Sequence, residues 1–195
     1  MIVLWFKSFL ATIRKREVMN MLMRKPENWD AISPREAVSY MELDDSLAVA
    51  NSILDKAFSE NKPITNLKLQ KLLYLVYKHY LQKNGGEPLF GEAFEAWPLG
   101  PVLPSVYHVF KYFEDKDIVR YAYQPFGNPE SVEIVDPNFK LFYEVLDDVW
   151  AKYGKRTASD LVELTHHKDS AWSKVKEGGG IYLLPEDVYK ERVWD

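Results

Sequence analysis

One segment of this 195-residue chain repeats its apolar side chains at three- and four-residue steps over several helical turns. Such spacing places these side chains on one face of an α-helix. Thr65 or Asn66 precedes the segment as a helix cap, and residues 84–86 (Asn-Gly-Gly) form a strong helix stop. The sequence therefore predicts an amphipathic helix broad enough to anchor the core of a bundle. Its inner face comprises Leu69, Leu72, Leu73, Val76, Tyr77 and Tyr80.

Shorter helical signals lie on both sides of this segment. Apolar stripes predict helices over residues 47–57, 105–113, 137–153 and 171–175, and Asp44 or Asp45 is a candidate cap for the first. Local start signals mark three further positions, because Asp, Thr and Pro favour the first turn of a helix. These signals are Asp136 followed by Pro137, Thr157 with Asp160 three residues later, and Pro185.

The β signals are few and short. Residues 94–97 are predicted to form a strand, and residues 118–123 and 132–135 are β-prone segments on either side of a proline- and glycine-containing turn. The latter pair is expected to form a small hairpin or two edge strands. The fold class predicted is mainly α: a compact helical domain with a small two- or three-stranded β element, plus an N-terminal extension.

The charge distribution divides the chain near Met41. Residues 1–40 carry seven Lys and Arg against four Asp and Glu, whereas the whole chain has a net charge of −4. Residues 1–40 are thus predicted to be an extension, and residues 41–195 the domain. Ile2, Phe6, Phe9 and Ile13 share one helical face, which is typical of an amphipathic helix on a membrane or partner. The alternatives are a poorly ordered leader or an upstream start codon, with Met41 the true beginning.

Composition excludes several classes of site. The chain has no cysteine, so disulfides, thiolate catalysis, zinc ribbons and iron–sulfur clusters are ruled out. No Walker, HExxH or GxGxxG motif is present, and we expect no cofactor. The acidic balance disfavours DNA as a partner, because phosphate neutralisation needs a dense basic face. The composition fits a cytoplasmic protein, and membrane contact is expected only through the extension.

One cluster invites a catalytic interpretation. His166, His167 and Asp169 lie within four residues, which suggests a hydrolase or a metal site. However, adjacent side chains on a helix point about 100° apart, so two neighbouring histidines converge poorly on one ion. We therefore expect no metal site, and the hydrolase is kept as an alternative.

Four segments in order, spread over most of residues 44–194, resemble the Panacea antitoxin domain, a SocA-like family that includes phage-associated GepA proteins. Pro98 and Ala171 depart locally from the family pattern, and the extension lies outside the resemblance. The four segments are residues 63–74 (PITNLKLQKLLY), 95–110 (EAWPLGPV and SVY with Phe110), 149–154 (VWAKYG) and 161–172 (LVELTH and SAW).

The resemblance implies an antitoxin rather than an enzyme, which neutralises a toxin encoded by an adjacent gene through direct protein–protein binding. It also implies an alternative, in which a SocA-type adaptor delivers the toxin to a Clp protease. The motif residues are candidates for partner binding, since tryptophan and tyrosine dominate binding hot spots. They equally suit structural roles, with residues 100–102 fixing a turn and Trp172 in the core. The candidates are Trp97, Gly100, Pro101, Val102, Tyr107, Thr165, His166 and Trp172.

Overall fold

The computed structural model describes residues 45–123 and 132–191. These residues form seven α-helices, a short 3-10 helix at Lys111–Phe113 and a three-stranded antiparallel sheet, which confirms the mainly α prediction. The extension predicted for residues 1–40 lies outside the described residues, and the boundary at Met41 stays a prediction. The helices are α1 (Asp45–Ser59), α2 (Asn66–Lys83), α3 (Pro104–Phe110), α4 (Lys140–Tyr153), α5 (Ala158–Thr165), α6 (Ala171–Glu177) and α7 (Pro185–Tyr189); the strands are β1 (Phe94–Trp97), β2 (Gly100–Val102) and β3 (Tyr182–Leu183).

Helix α2 is the centre of the fold. The Thr65 hydroxyl accepts a hydrogen bond from the Lys68 main-chain N–H at 3.3 Å and caps its first turn. All six residues of the predicted inner face are buried, but so are Tyr74 and Leu75 on other faces. Thirteen of its 18 residues are buried, so α2 is enclosed on nearly all sides rather than amphipathic. Helices α1, α4, α5 and α7 and strand β2 pack around it.

Local start signals predict two of the later helices correctly. Thr157 caps α5, where its hydroxyl accepts from the Asp160 N–H at 3.2 Å and the Asp160 carboxylate accepts from the Thr157 N–H at 2.9 Å. This reciprocal pair is the predicted capping box. Helix α7 begins at Pro185, as expected. Helix α4 starts at Lys140 rather than residue 137, because the Asp136 carboxylate accepts from the Asn138 N–H at 2.8 Å and closes a turn instead.

The small sheet has the order β2-β1-β3. Strand β1, which was predicted, pairs with β2 through a tight turn, with Trp97 opposite Gly100. It pairs on its other side with β3, with Phe94 opposite Leu183. Both partner strands were missed: β2 (Gly100–Val102) lies in a segment that was interpreted as a turn, and β3 lies more than 80 residues away in sequence. The sheet positions the β1–β2 turn next to α2 and α3.

The hairpin predicted around residues 118–135 is wrong for the part that the structure describes. Residues 118–123 and 132–135 contain no strand. Side chains of α1 satisfy their main chain instead: the Asn51 amide donates to the carbonyls of Ala122 (3.0 Å) and Glu133 (2.9 Å), and accepts from the Ala122 N–H at 2.8 Å. These bonds replace a strand ladder, because each buried peptide group needs one partner of any kind. The predicted turn at residues 124–131 lies outside the described residues.

Candidate functional site

A pocket of about 520 Å³ opens between the start of α2, the β1–β2 turn and α3. Its floor includes the buried amide side chains of Asn66 and Gln70. Trp97 and Tyr107 are half-buried and form its aromatic wall, with ring centroids 4.9 Å apart in an edge-to-face arrangement. Leu99, at the mouth, is 55% exposed. The pocket thus has an apolar wall, an exposed apolar lip and a polar floor.

The Trp97 wall is continuous with a second aromatic pair. The Trp172 indole N–H donates to the Trp97 main-chain carbonyl at 2.8 Å, which ties α6 to the end of β1. The His166 imidazole in turn stacks on the Trp172 ring, with ring centroids 3.9 Å apart. Four residues that come from distant parts of the sequence therefore form one connected aromatic cluster beside the pocket.

Behind the pocket, Gly100 allows a close approach between the turn and α2. It has a φ of +101°, and a Cβ added there would lie 2.8 Å from the Thr165 hydroxyl and 2.9 Å from Lys71 Nζ. Only glycine fits this conformation and this space without strain. Lys71 Nζ donates to the Pro101 carbonyl at 2.7 Å, so α2 holds the turn directly. Gly100, Pro101 and Thr165 thus have structural roles in shaping the site.

Burial is the main cause of the shifted pKa values of the two ionisable side chains near this turn, Lys71 and His166. Lys71 is fully buried, and burial lowers its pKa to about 7. Among the described residues it forms no ion pair. Burial also lowers the pKa of His166, and the nearby positive charge of Lys71 lowers it further. Both groups therefore shed their protons more readily than they do in water.

The two floor amides support the walls of the pocket. The Gln70 side-chain oxygen accepts a hydrogen bond from the Leu103 N–H at 2.8 Å, at the end of β2. The Asn66 amide nitrogen donates to the Tyr107 carbonyl at 3.2 Å, within α3. Side chains of α2 therefore fix the end of β2 and also α3, which carries Tyr107 of the aromatic wall.

The late histidines have separate environments. His166 is half-buried against Trp172, whereas His167 is exposed and its Nδ1 accepts from the Asp169 N–H at 3.3 Å. Over residues 45–123 and 132–191, no group of three or more His, Asp or Glu side chains is arranged to hold a metal ion. His166 is therefore a stacking residue and His167 a turn residue. Neither lines the pocket, which contacts this aromatic cluster through Trp97 and Tyr107.

All eight predicted site residues contribute to one region. Trp97, Val102 and Tyr107 line the pocket, while the other five support it from behind or beside. The sequence interpretation missed Asn66 and Gln70 as floor residues, Lys71 as the turn support and Leu99 as the lip. The one available signal was that Gln70 and Lys71 interrupt an apolar helix, but a polar residue there is usually solvated.

None of the helices in the described ranges has the length and apolar character needed to cross a bilayer. This finding bears on the helices of the domain, and not on residues 1–44.

Comparison with known proteins identifies the family. Residues 69–173, more than half of the chain, match the family model described as Antitoxin SocA-like, Panacea domain. The chain is 36% identical over 154 residues to Antitoxin SocA from Caulobacter vibrioides (strain NA1000 / CB15N), covering 76% of this chain and 81% of that protein. No solved structure matches the chain significantly. The matched region includes the aromatic wall, the Lys71 support and the pocket lining apart from Asn66 and Leu67. The chain belongs to the SocA-like antitoxin family that is defined by the Panacea domain.

Proposed function

We propose that this protein is a cytoplasmic antitoxin that neutralises a toxin encoded by an adjacent gene through direct protein–protein binding. Membership of a family named for antitoxins, with a relative named Antitoxin SocA, supports the antitoxin role. The single structural observation that supports direct binding is the pocket with its exposed apolar lip. An exposed leucine beside half-buried tryptophan and tyrosine is typical of a surface that another protein covers.

The proposed recognition surface consists of Trp97, Pro98, Leu99 and Tyr107. Leu99 and Pro98 stand exposed at the tip of the β1–β2 turn, and the two aromatic rings lie beneath them. Lys71 and Gln70 hold the main chain of this turn against α2 before a partner arrives. A preorganised main chain loses little conformational entropy on binding, which favours affinity.

The charge of the chain indicates what kind of partner it meets. With a net charge of −4, the protein attracts a basic toxin more strongly than an acidic one. Such complementarity accelerates association more than it increases affinity. The apolar surface supplies the affinity in this proposal, and the acidic body steers the encounter.

Co-expression with the product of each flanking gene tests the proposal. We expect the protein to restore growth to cells that express one of these toxins, and to co-purify with that toxin. Leu99→Glu should abolish both effects, because it places a charge at the centre of an apolar contact. Tyr189→Glu is the matched control, since Tyr189 is 41% exposed but packs over Gly86, beyond the opposite end of α2.

Three outcomes are decisive. Rescue lost in the Leu99 variant and kept in the Tyr189 variant supports binding through the recognition surface. Rescue that disappears in cells lacking Clp proteases supports the adaptor alternative instead. Failure of rescue against every flanking gene product contradicts the antitoxin role.

A further inference from the structure

The pocket floor contains two buried amide groups whose hydrogen-bonding capacity is only half used. Asn66 and Gln70 are 3% and 1% exposed. Among the described residues, Asn66 Oδ1 accepts no hydrogen bond and Gln70 Nε2 donates none. Buried polar atoms are nearly always paired, so an unpaired acceptor and an unpaired donor in one pocket point to a ligand. The two residues are four apart on α2 and share one face of the helix.

The orientation of each amide follows from its main-chain partner. A carbonyl can only accept, so the Asn66 atom near the Tyr107 carbonyl is the nitrogen, and the oxygen is left over. A main-chain N–H can only donate, so the Gln70 atom that faces the Leu103 N–H is the oxygen, and the nitrogen is left over. The pocket lining therefore contains one unused acceptor and one unused donor of known identity.

The chemistry of the pocket indicates a neutral ligand. Its charged lining residues are Lys111 and Glu114, whose charges cancel, and both are exposed rather than on the floor. A phosphate or carboxylate would find no buried cation among the lining residues. The walls are apolar, with Trp97, Leu99 and Tyr107. One apolar group that carries both an N–H and a carbonyl fits these walls and this floor.

We propose that the pocket binds an apolar side chain of a partner protein together with its adjoining peptide groups, with an N–H donated to Asn66 Oδ1 and a carbonyl accepting from Gln70 Nε2. This inference rests on the proposed antitoxin function and specifies the chemistry of the toxin segment. Both free amide atoms are shielded from solvent in the free protein, so binding requires the side chains that cover them to move. In the free protein the two amide atoms are covered, and binding of the partner segment exposes them to its peptide groups.

A minimal probe of this chemistry is N-acetyl-L-leucine N-methylamide, which carries one apolar side chain between two peptide groups. In a titration followed by NMR, we expect the side-chain amide resonances of Asn66 and Gln70 to shift, with a Kd on the order of 1 mM for so small a ligand. N-acetyl-glycine N-methylamide is the control without the apolar side chain and should bind at least about tenfold more weakly. Adenosine monophosphate tests for a nucleotide site instead.

The variant Gln70→Glu keeps an oxygen for the Leu103 N–H and replaces the free donor by an acceptor. Its affinity for the leucine probe should fall about tenfold, which is the effect of one lost hydrogen bond. If this variant does not fold, as judged by its NMR spectrum, the titration of the unaltered protein alone decides. Absence of side-chain amide shifts with the leucine probe, or preferential binding of adenosine monophosphate, overturns the inference.

The test of the peptide inference can fail separately from the test of the proposed function. If a toxin complex forms and depends on Leu99, but the leucine probe does not bind at the pocket floor, the peptide inference is refuted and the antitoxin proposal stands. A floor that binds the probe in a protein that rescues no toxin would refute the antitoxin proposal alone.

Discussion

Lys71 Nζ donates a hydrogen bond to the main-chain carbonyl of Pro101 at 2.7 Å, and this bond joins the central helix to the turn that carries the proposed recognition surface. The lysine is fully buried and has no ion-pair partner among the described residues. A main-chain carbonyl offsets only part of the desolvation of an ammonium group. The protonation state of Lys71 is therefore linked to the stability of the fold.

The Lys71 linkage predicts a pH dependence of stability. Burial lowers the pKa of Lys71 from 10.5 to about 7. Between these values the unfolded chain holds a proton that the folded chain has lost, so the free energy of unfolding rises with pH. One group contributes at most about 1.4 kcal/mol per pH unit. Lys71→Met should reduce this slope in urea unfolding between about pH 7 and pH 10; curves that run parallel for the two proteins would contradict the linkage.

Gly100→Ala should destabilise the fold by about 2–4 kcal/mol, since it adds positive-φ strain to a clash behind the turn. The new Cβ would meet the Thr165 hydroxyl at 2.8 Å and displace Lys71 Nζ. Gly86→Ala is the matched control: its φ of +94° imposes similar strain, but the nearest atom to its Cβ would be in the Tyr189 ring at 3.7 Å, which is an ordinary contact. We expect about 1–2 kcal/mol there. Equal losses in thermal unfolding of both variants would show that the close approach has no energetic role.

Glu191 holds the C-terminal end of the described chain against α2 through buried bonds. Its carboxylate forms an ion pair with Lys78 at 2.9 Å and accepts from the Tyr74 hydroxyl and, at 2.5 Å, from the Ala171 N–H. Glu191→Gln should lower the free energy of unfolding by about 3–5 kcal/mol, because it removes the carboxylate charge that is paired with the buried Lys78 ammonium.

The exposed pair of Lys83 and Asp148 is the control for Glu191, with an N–O distance of 2.7 Å and side chains 43% and 62% exposed. Lys83→Ala should cost less than about 1 kcal/mol, since water screens this pair. Denaturant unfolding of the two variants measures both values. A loss for Glu191→Gln that is as small as the control would mean that the buried network is not coupled to folding.

His166→Phe separates a stacking role from a catalytic one. Phenylalanine keeps a ring over Trp172, and the substitution removes a buried imidazole nitrogen that has no partner among the described residues. We expect toxin neutralisation to be unchanged and the free energy of unfolding to change by less than about 1 kcal/mol. Growth rescue and thermal unfolding measure the two effects. Loss of neutralisation in a stable variant would instead show that the imidazole itself is required, either for toxin binding or in the hydrolase alternative built on His166, His167 and Asp169.

The sequence predicts correctly those features that depend on one helical turn or less. Thr65 and Thr157 cap their helices, and Pro185 begins the last one, because each acts on main-chain groups within three or four residues. The inner face of α2 was equally predictable, since burial of apolar side chains imposes a helical period. The resemblance to the Panacea domain also followed from local segments in order, and the comparisons confirm it.

Tertiary structure decides the features that need partners from distant parts of the chain. Strand β1 pairs with β3, and the main chain of residues 118–123 bonds to the Asn51 side chain. A peptide group can form its hydrogen bond with any suitable partner that the fold brings near it. The burial of Gln70 and Lys71 likewise depends on β2 closing over α2, which no periodicity in the helix encodes. The pocket is a product of that closure, because its lining residues come from α2, the β1–β2 turn and α3, and its floor exists only where these three elements meet.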